Sequence, residues 1–412
     1  VNVAEARSSV RNALSTRLDA ELRRIRAADL YRVRRVIDGN HGADIVVDGR
    51  RCINFCSNDY LGLAGDPRLA VAAKRALDHA GVGSGGSALI SGYNAEHRAL
   101  EEALADFTGR PRALLFSSGW AANLGVLRGL LRRGDAIVAD ELNHASLIDG
   151  GRLSGADYRR VPHRDLAAYE ATLSDLAAAP AGALSLIVSD SLFSMDGDIA
   201  ELPALRRLGR RFDAPLMIDD AHGFGVLGEH GRGAVEMSSD SIPDIYVATL
   251  GKAIGAAGAF VAGDEDLIEY LVQRARSWIF STAPPPAVAA AAHAGLRIAR
   301  EEPEHRQRLH ANIRQFVDGA RRCGLPLGQA GEMSSTAIQP LLTGDEARTL
   351  AMSRGLFERG YWVAAIRPPT VPRGTSRLRI TLSAAHRPAQ VDGLLNALGE
   401  VWEAVGSESE PA

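Results

Sequence analysis

The sequence predicts an α/β protein built on a mostly parallel, doubly wound central sheet, with a smaller α+β unit formed by its flanking segments. Three observations carry this. From residue 113 onward, apolar runs of strand length alternate with helical stretches. The runs are nearly continuous in apolar character, as strands buried on both faces of a parallel sheet are, and their alternation with helices is that of a layered α/β domain. Near residue 336 the pattern changes to strand, helix, strand, strand, helix, which reads as α+β.

In chain order, residues 3–27 read as a helix with Leu14, Leu18, Leu22 and Ile25 on one face. Val46–Val47, a turn at Asp48–Gly49 and Ile53–Phe55 read as a small hairpin. A helix spans 94–108, with Leu100, Leu104 and Phe107 on one stripe and Gly109-Arg110-Pro111 ending it. The strand candidates are Ala113–Phe116, Ala136–Ala139, Leu184–Val188, Pro215–Ile218, Ile245–Ala248 and Ala259–Ala262, with helices at 119–131, 201–212 and 266–278. Helices at 284–300 and 303–322 follow. The remainder reads as strand 336–342, helix 345–359, strand 361–365, strand 377–382, helix 388–404 and a loose tail at 406–412. This divides the chain into an N-terminal helix and hairpin segment (1–53), a large α/β domain (54–290) and a C-terminal α+β domain (291–412).

Composition narrows the function. The 412 residues carry 47 Lys+Arg against 50 Asp+Glu, a formal charge of −3. That balance argues against a nucleic-acid partner, which calls for a basic face, and gives no polybasic membrane signal. No run approaches the ~18 apolar residues of a membrane span. Val1–Leu22 is charged throughout and lacks the apolar centre of a signal peptide, so a cytoplasmic location is expected. Cys52, Cys56 and Cys323 are odd in number and form no C-x-x-C pair, so they read as free thiols rather than disulfides or zinc ligands.

In open α/β sheets, ligands bind outside the carboxyl ends of the strands. Polar residues collect there after five of the runs: Ser117-Ser118-Gly119-Trp120, Asp140-Glu141-Leu142-Asn143-His144, Ser189-Asp190-Ser191 with Phe193-Ser194-Met195-Asp196-Gly197, Asp219-Asp220-Ala221-His222-Gly223, and Thr249-Leu250-Gly251-Lys252. Singly, each has an ordinary reading as a helix cap, a core histidine or a surface lysine. Together on one sheet edge they do not. Gly83-Ser84-Gly85-Gly86-Ser87-Ala88 lacks the third glycine of a dinucleotide fingerprint, and Gly251-Lys252 lacks the rest of a P-loop. No H-E-x-x-H or G-x-S-x-G motif is present, and Asp196-Gly197-Asp198 has Ala200 where an EF-hand needs a ligand, so no metal is expected. What remains fits pyridoxal 5′-phosphate (PLP). Lys252 can form a Schiff base with an aldehyde. An Asp at a strand end can pair with a pyridinium nitrogen, and the helix start at Gly119 can hold a phosphate. His144 can cover the ring.

These residues also resemble the α-oxoamine synthases, a family of fold-type I PLP-dependent transferases. The resemblance runs from about Leu30 to Leu398. It rests on Ser57-Asn58-Asp59-Tyr60-Leu61-Gly62-Leu63, Gly83–Ser87, Asn143-His144-Ala145-Ser146-Leu147, Phe193–Asp198, Asp219–Gly223 and Thr249–Lys252. It implies that Lys252 carries the cofactor and acts as general base, that Asp219 bonds the pyridine nitrogen, and that His144 stacks on the ring and borders the substrate. It also implies that His222 and Ser194 sit near the phenolic oxygen. Gly119, Trp120 and Thr249 would hold the cofactor and its phosphate, with Ser281 and Thr282 completing the phosphate site across a homodimer with shared active sites. Trp120 stands where Phe or Tyr is usual. Asn58 and Arg367 would hold the amino acid carboxylate, and Arg32 and Thr370 would border the acyl substrate. The block Ala365-Ile366-Arg367-Pro368-Pro369-Thr370-Val371-Pro372 resembles the branch that condenses L-alanine with pimeloyl-CoA or a pimeloyl carrier protein, with loss of CO2, in biotin biosynthesis. Two other readings stand beside it: a sister synthase of the 2-amino-3-ketobutyrate CoA ligase type acting on glycine, and a silent partner subunit, which typically lacks the Schiff-base lysine.

Overall fold

The structure, a computed structural model, describes residues 13–177, 182–238, 240, 242–328 and 333–407. Its strands are β1 (Ile37–Asp38), β2 (Asp44–Val47), β3 (Arg50–Asn54), β4 (Arg112–Phe116), β5 (Ala136–Asp140), β6 (Asp157–Val161) and β7 (Ser185–Asp190), followed by β8 (Leu216–Asp219), β9 (Ile245–Thr249), β10 (Ala259–Gly263), β11 (Ile338–Gly344), β12 (Tyr361–Trp362), β13 (Ala364–Ile366) and β14 (Ser376–Thr381).

A seven-stranded sheet of order β4-β10-β9-β8-β7-β5-β6 forms the centre. All its pairings are parallel except those of β10, which runs antiparallel to both β4 and β9. The run Ala259–Ala262 is thus the one strand of this sheet that opposes the others. Because β10 reverses twice, β4 points the same way as β9, and the carboxyl ends of β4, β5, β7, β8 and β9 lie on one edge.

Successive side chains on a strand face opposite sides, which explains why the runs are apolar throughout. Leu115, Val138, Ile187, Ile218 and Phe260 enter one hydrophobic core. Their sequence neighbours Leu114, Ile137, Val188, Met217 and Val261 enter a second core on the other face. Each such side chain contributes about 1.5–3 kcal/mol by leaving water, and helices cover both faces.

The flanking segments meet around this sheet. β2 and β3 form the expected hairpin about the expected turn, β2 starting two residues and β3 three residues earlier than read, and the two-residue turn has positive φ at both Asp48 (50°) and Gly49 (77°). That is the backbone of a type I′ turn, which Asp-Gly adopts readily. β3 also pairs in parallel with β12, Ile53 opposite Tyr361, so the N-terminal hairpin joins a C-terminal strand. The single strand expected at 361–365 is two pieces in different sheets: β12 pairs with β3, and β13 joins the antiparallel sheet β11-β14-β13, with Val363 buried between them.

Of the helix expected at 3–27, residues 3–12 lie outside the described residues, and Ala13–Ala27 is helical. Its apolar stripe does not face this chain's core: Leu14 is 63% exposed and Leu18 52%. The last helix runs Pro388–Ser407, past the expected start of the tail at 406. Among the described residues no helix is long and apolar enough to cross a membrane.

Candidate active site

The carboxyl edge of the central sheet gathers the polar residues into one hydrogen-bonded group. Lys252 follows β9, and its Nζ lies 2.8 Å from His222 Nε2, which follows β8. The other ring nitrogen, His222 Nδ1, lies 2.6 Å from the Tyr60 hydroxyl. That hydroxyl is also 3.2 Å from Asn58 Oδ1, to which Arg379 Nη1 donates at 3.0 Å. A continuous relay thus runs from Lys252 through His222, Tyr60 and Asn58 to Arg379.

Electrostatics set the charge states. Burial depresses the Lys252 amine to about 8, against the opposing pull of Asp219 and Asp190. Burial, with Lys252 and Arg379 nearby, holds His222 well below the ordinary histidine range, so its ring is neutral. A lysine amine of this kind is available uncharged near neutral pH, which a nucleophile or base requires.

A second chain of bonds holds Asp219, the last residue of β8. Asn123 Nδ2 donates to Asp219 Oδ2 at 2.6 Å and to Ser146 Oγ at 2.8 Å, while Ala221 N donates to Asp219 Oδ1 at 3.0 Å. Ser146 in turn fixes His144. Its backbone N–H points at His144 Nδ1 (3.3 Å) and its hydroxyl lies 2.7 Å from the same atom. Nδ1 is therefore an acceptor, and the neutral ring carries its proton on Nε2. Burial lowers the affinity of His144 for a second proton. Asp190 Oδ2 accepts the His144 backbone N–H at 2.7 Å, and Asp190 stands in register beside Asp219.

The β4 end opens into the helix Gly119–Leu130. Ser118 caps it, its hydroxyl accepting the Ala121 N–H, and the place of a Cβ on Gly119 is open space. Trp120 is exposed beside it. Thr249 Oγ1 accepts the Gly251 N–H (3.2 Å) and donates to Gly258 O (3.0 Å). Ser281 and Thr282 share a cavity wall with Ser117 and Ser277, close to the β4 end. Ser194 sits in the turn after β7, and its carbonyl accepts from Arg379 Nε at 2.6 Å.

Asn58 and Arg367, read from the sequence as joint holders of the amino acid carboxylate, make separate hydrogen bonds. The Arg367 guanidinium donates to the backbone carbonyls of Asp29 and Tyr31. Arg367, Arg32 and Thr370 line one cavity of about 270 Å3. The buried guanidinium beside Asn58 is that of Arg379, whose Nη2 has no hydrogen-bond partner among the described residues. Sequence reading missed Arg379, Tyr60 and Asn123. Arg377 and Arg379 alternate with Leu378 and Ile380 inside the fully buried β14, and a charged pair at strand spacing in a buried strand was the signal for the first. Asn123 lies one helical turn after Gly119, on the face that meets the sheet.

These residues fit PLP on structural grounds. An amine whose proton affinity burial lowers stands at one strand end and a buried carboxylate at the next. A capped helix start stands at a third. The orphaned Nη2 of Arg379 is a donor suited to a carboxylate.

Comparisons with known proteins point the same way. The family described as aminotransferase class I and II matches residues 50–398. The chain is 54% identical over 381 residues to the 8-amino-7-oxononanoate synthase of Methylococcus capsulatus, covering 92% of this chain and 96% of that one. Among solved structures it resembles a serine palmitoyltransferase from S. paucimobilis holding a PLP–myriocin adduct (TM-score 0.89, 30% identity, 96% of this chain and 100% of that chain). It also resembles the 8-amino-7-oxononanoate synthase of Francisella tularensis (TM-score 0.71, 32% identity, 86% and 98%).

Proposed function

The chain belongs to the aminotransferase class I and II family and, within it, to the 8-amino-7-oxononanoate synthases, and on that premise we propose how its residues carry out the reaction. The enzyme is a PLP-dependent acyltransferase of biotin biosynthesis. It joins L-alanine to a pimeloyl thioester, CoA-bound or carrier-bound, giving 8-amino-7-oxononanoate, CO2 and the free thiol. The observation that carries the residue assignment is the approach of Lys252 to His222 beside Asp219.

When bound, PLP supplies an aldehyde that captures amines and a protonated ring that draws electrons from the amino acid α-carbon. Lys252 provides the amine on which the cofactor is held. The same amine, when free, would be the base that takes the α-proton, and His222 Nε2 would keep Nζ oriented for it. Asp219, fixed by Asn123 and Ala221, would face the ring nitrogen, where a charge-assisted bond would favour the protonated ring. His144, its tautomer set by Ser146, would cover the ring and border the substrate. Ser194 and His222 would border the phenolic oxygen. Ser118, Gly119, Trp120 and Thr249 would hold the cofactor's phosphate end. Arg379 and Asn58 take the alanine carboxylate, the role first read for Arg367, because the free Nη2 belongs to Arg379. Arg32, Arg367 and Thr370 border the thioester chain. The α-carbon bonds to the thioester carbonyl carbon and the thiolate leaves. The carboxylate then departs as CO2, and Lys252 returns a proton to the carbon.

Ser281 and Thr282 complete a phosphate site in a homodimer. The support is their place beside strongly exposed apolar residues, Phe280 at 70% and Ile90 at 82%. The division into 1–53, 54–290 and 291–412 is kept, with the first and last segments paired through β3 and β12. A cytoplasmic location is supported by three cysteines that are all free thiols.

The test is one assay: purified protein with PLP, L-alanine or glycine, and pimeloyl-CoA or pimeloyl carrier protein, with the product identified by mass. The expected product is 8-amino-7-oxononanoate from alanine. A product formed from glycine in preference would move the chain to the glycine-using reading.

A further inference from the structure

His163 takes no part in the chemistry above, yet it touches two loops that do. It lies between β6 and the helix Leu166–Leu176. Its Nδ1 is 3.0 and 3.1 Å from the two carboxylate oxygens of Asp140, and its Nε2 is 2.7 Å from Asp198 Oδ2. Both ring nitrogens face acceptors, so both must donate, and only the imidazolium donates at both.

The two carboxylates belong to different walls of the site. Asp140 ends β5, and the loop it begins carries His144 four residues on. It also accepts the N–H groups of Leu142 and Arg164, which pins that loop's start. Asp198 closes the turn that carries Ser194: Phe193 N donates to Asp198 O (3.0 Å) and Gly197 N to Phe193 O (2.9 Å). The Phe193 ring meets the imidazole edge-on, with centroids 4.4 Å apart. The other charged groups around the ring are Arg164, which pairs with Asp198 (3.4 Å) and Glu201 (3.3 Å), and Glu141, which accepts the His163 backbone N–H at 3.3 Å.

We propose that His163 is a positioning residue: as an imidazolium bridging Asp140 and Asp198, it couples the His144 loop to the Ser194 turn and sets the distance between these two walls. The proposal rests on the cofactor site described above. Burial disfavours the charge, but the bonds to Asp140 and Asp198 outweigh it and hold the ring up at about 9. With a folded pKa above the unfolded one, the link is complete below about 6.5 and is lost as pH rises through about 9. A neutral ring leaves one lone pair facing a carboxylate, and one wall comes loose.

The test is hydrogen exchange of the holoenzyme, read as protection factors so that intrinsic pH effects cancel. In H163Q, protection falls together in 141–147 and 192–199, by about tenfold, while β9 and β10 are unchanged. In the unaltered enzyme the same two segments lose protection together between pH 8 and 10, and in H163Q that step is gone. D198N, which removes one carboxylate and leaves His163 in place, loosens 141–147 as well, although Asp198 lies outside that segment, and it serves if H163Q does not fold. Loss confined to one segment, loss spread over the whole sheet, or an unchanged alkaline step in H163Q overturns the proposal. Borohydride labelling of Lys252 in the same samples shows separately whether the cofactor site itself is assigned correctly.

Discussion

Lys252 Nζ stands 2.8 Å from His222 Nε2. The contact joins the end of β9 to the end of β8, and it makes the two groups share one hydrogen-bonding state. A charged Lys252 donates to Nε2, which moves the ring proton to Nδ1 and turns the Tyr60 hydroxyl toward Asn58. An uncharged Lys252 accepts from Nε2–H, and Tyr60 donates to Nδ1. The charge of the lysine is thereby transmitted to the residues that face the substrate carboxylate.

Capture of PLP by the apoenzyme follows the Lys252 amine. Since burial lowers that amine to about 8, the capture rate rises by about tenfold per pH unit below 8 and levels off above it. Stopped-flow absorbance of apoenzyme mixed with PLP checks this. A midpoint near 10 would show a lysine of ordinary affinity.

Tyr60→Phe removes the partner of His222 Nδ1 and breaks the relay to Asn58. A buried nitrogen left without its partner costs about 1–3 kcal/mol of stability. Turnover falls about tenfold or more with PLP still attached, because the lysine itself is intact. Denaturant unfolding and steady-state kinetics on the same preparation separate the two effects.

Arg379 and Arg367 part in their substrate effects. Arg379→Lys keeps a positive charge but loses the planar fork that reaches Asn58, Thr381 and Ser194 O together. Its KM for alanine rises by about tenfold, which corresponds to about 1.4 kcal/mol. Arg367→Ala leaves the KM for alanine near its starting value and raises that for the thioester. Varying each substrate in turn against both variants tests the assignment.

Gly255 lies three residues after Lys252 with φ +73°, and a Cβ there would stand 2.5 Å from Leu63 C and 2.6 Å from Ala64 N. The lysine loop therefore packs directly on the backbone that follows Tyr60. Gly255→Ala costs about 2–4 kcal/mol through crowding and an unfavourable φ, seen as a lowered Tm. PLP is lost at a lower temperature as well.

Much of this was legible in the sequence because burial on both faces leaves apolar runs, and the residue ending each run then stands at the ligand edge. Asp219 and Lys252 were found that way. β6 was not, because Asp157-Tyr158-Arg159-Arg160-Val161 is an edge strand, half-exposed, and carries no continuous apolar signal. Arg379 was missed for a different reason. Arg367 sits in the more conspicuous motif, and nothing local shows that its guanidinium is taken by the Asp29 and Tyr31 carbonyls. Such long-range competition for one side chain is set by tertiary packing alone.

The role of Lys252 can be read against a sparse background: the chain contains two lysines, Lys74 and Lys252, and Lys74 is exposed on the helix Pro67–Ala80. The measurement is borohydride reduction of the PLP-loaded enzyme followed by peptide mapping. One phosphopyridoxyl group per chain is expected, on the peptide containing Lys252, and no label there in Lys252→Ala, which also loses turnover. Label on Lys74 alone, or full turnover in Lys252→Ala, would contradict this role for Lys252.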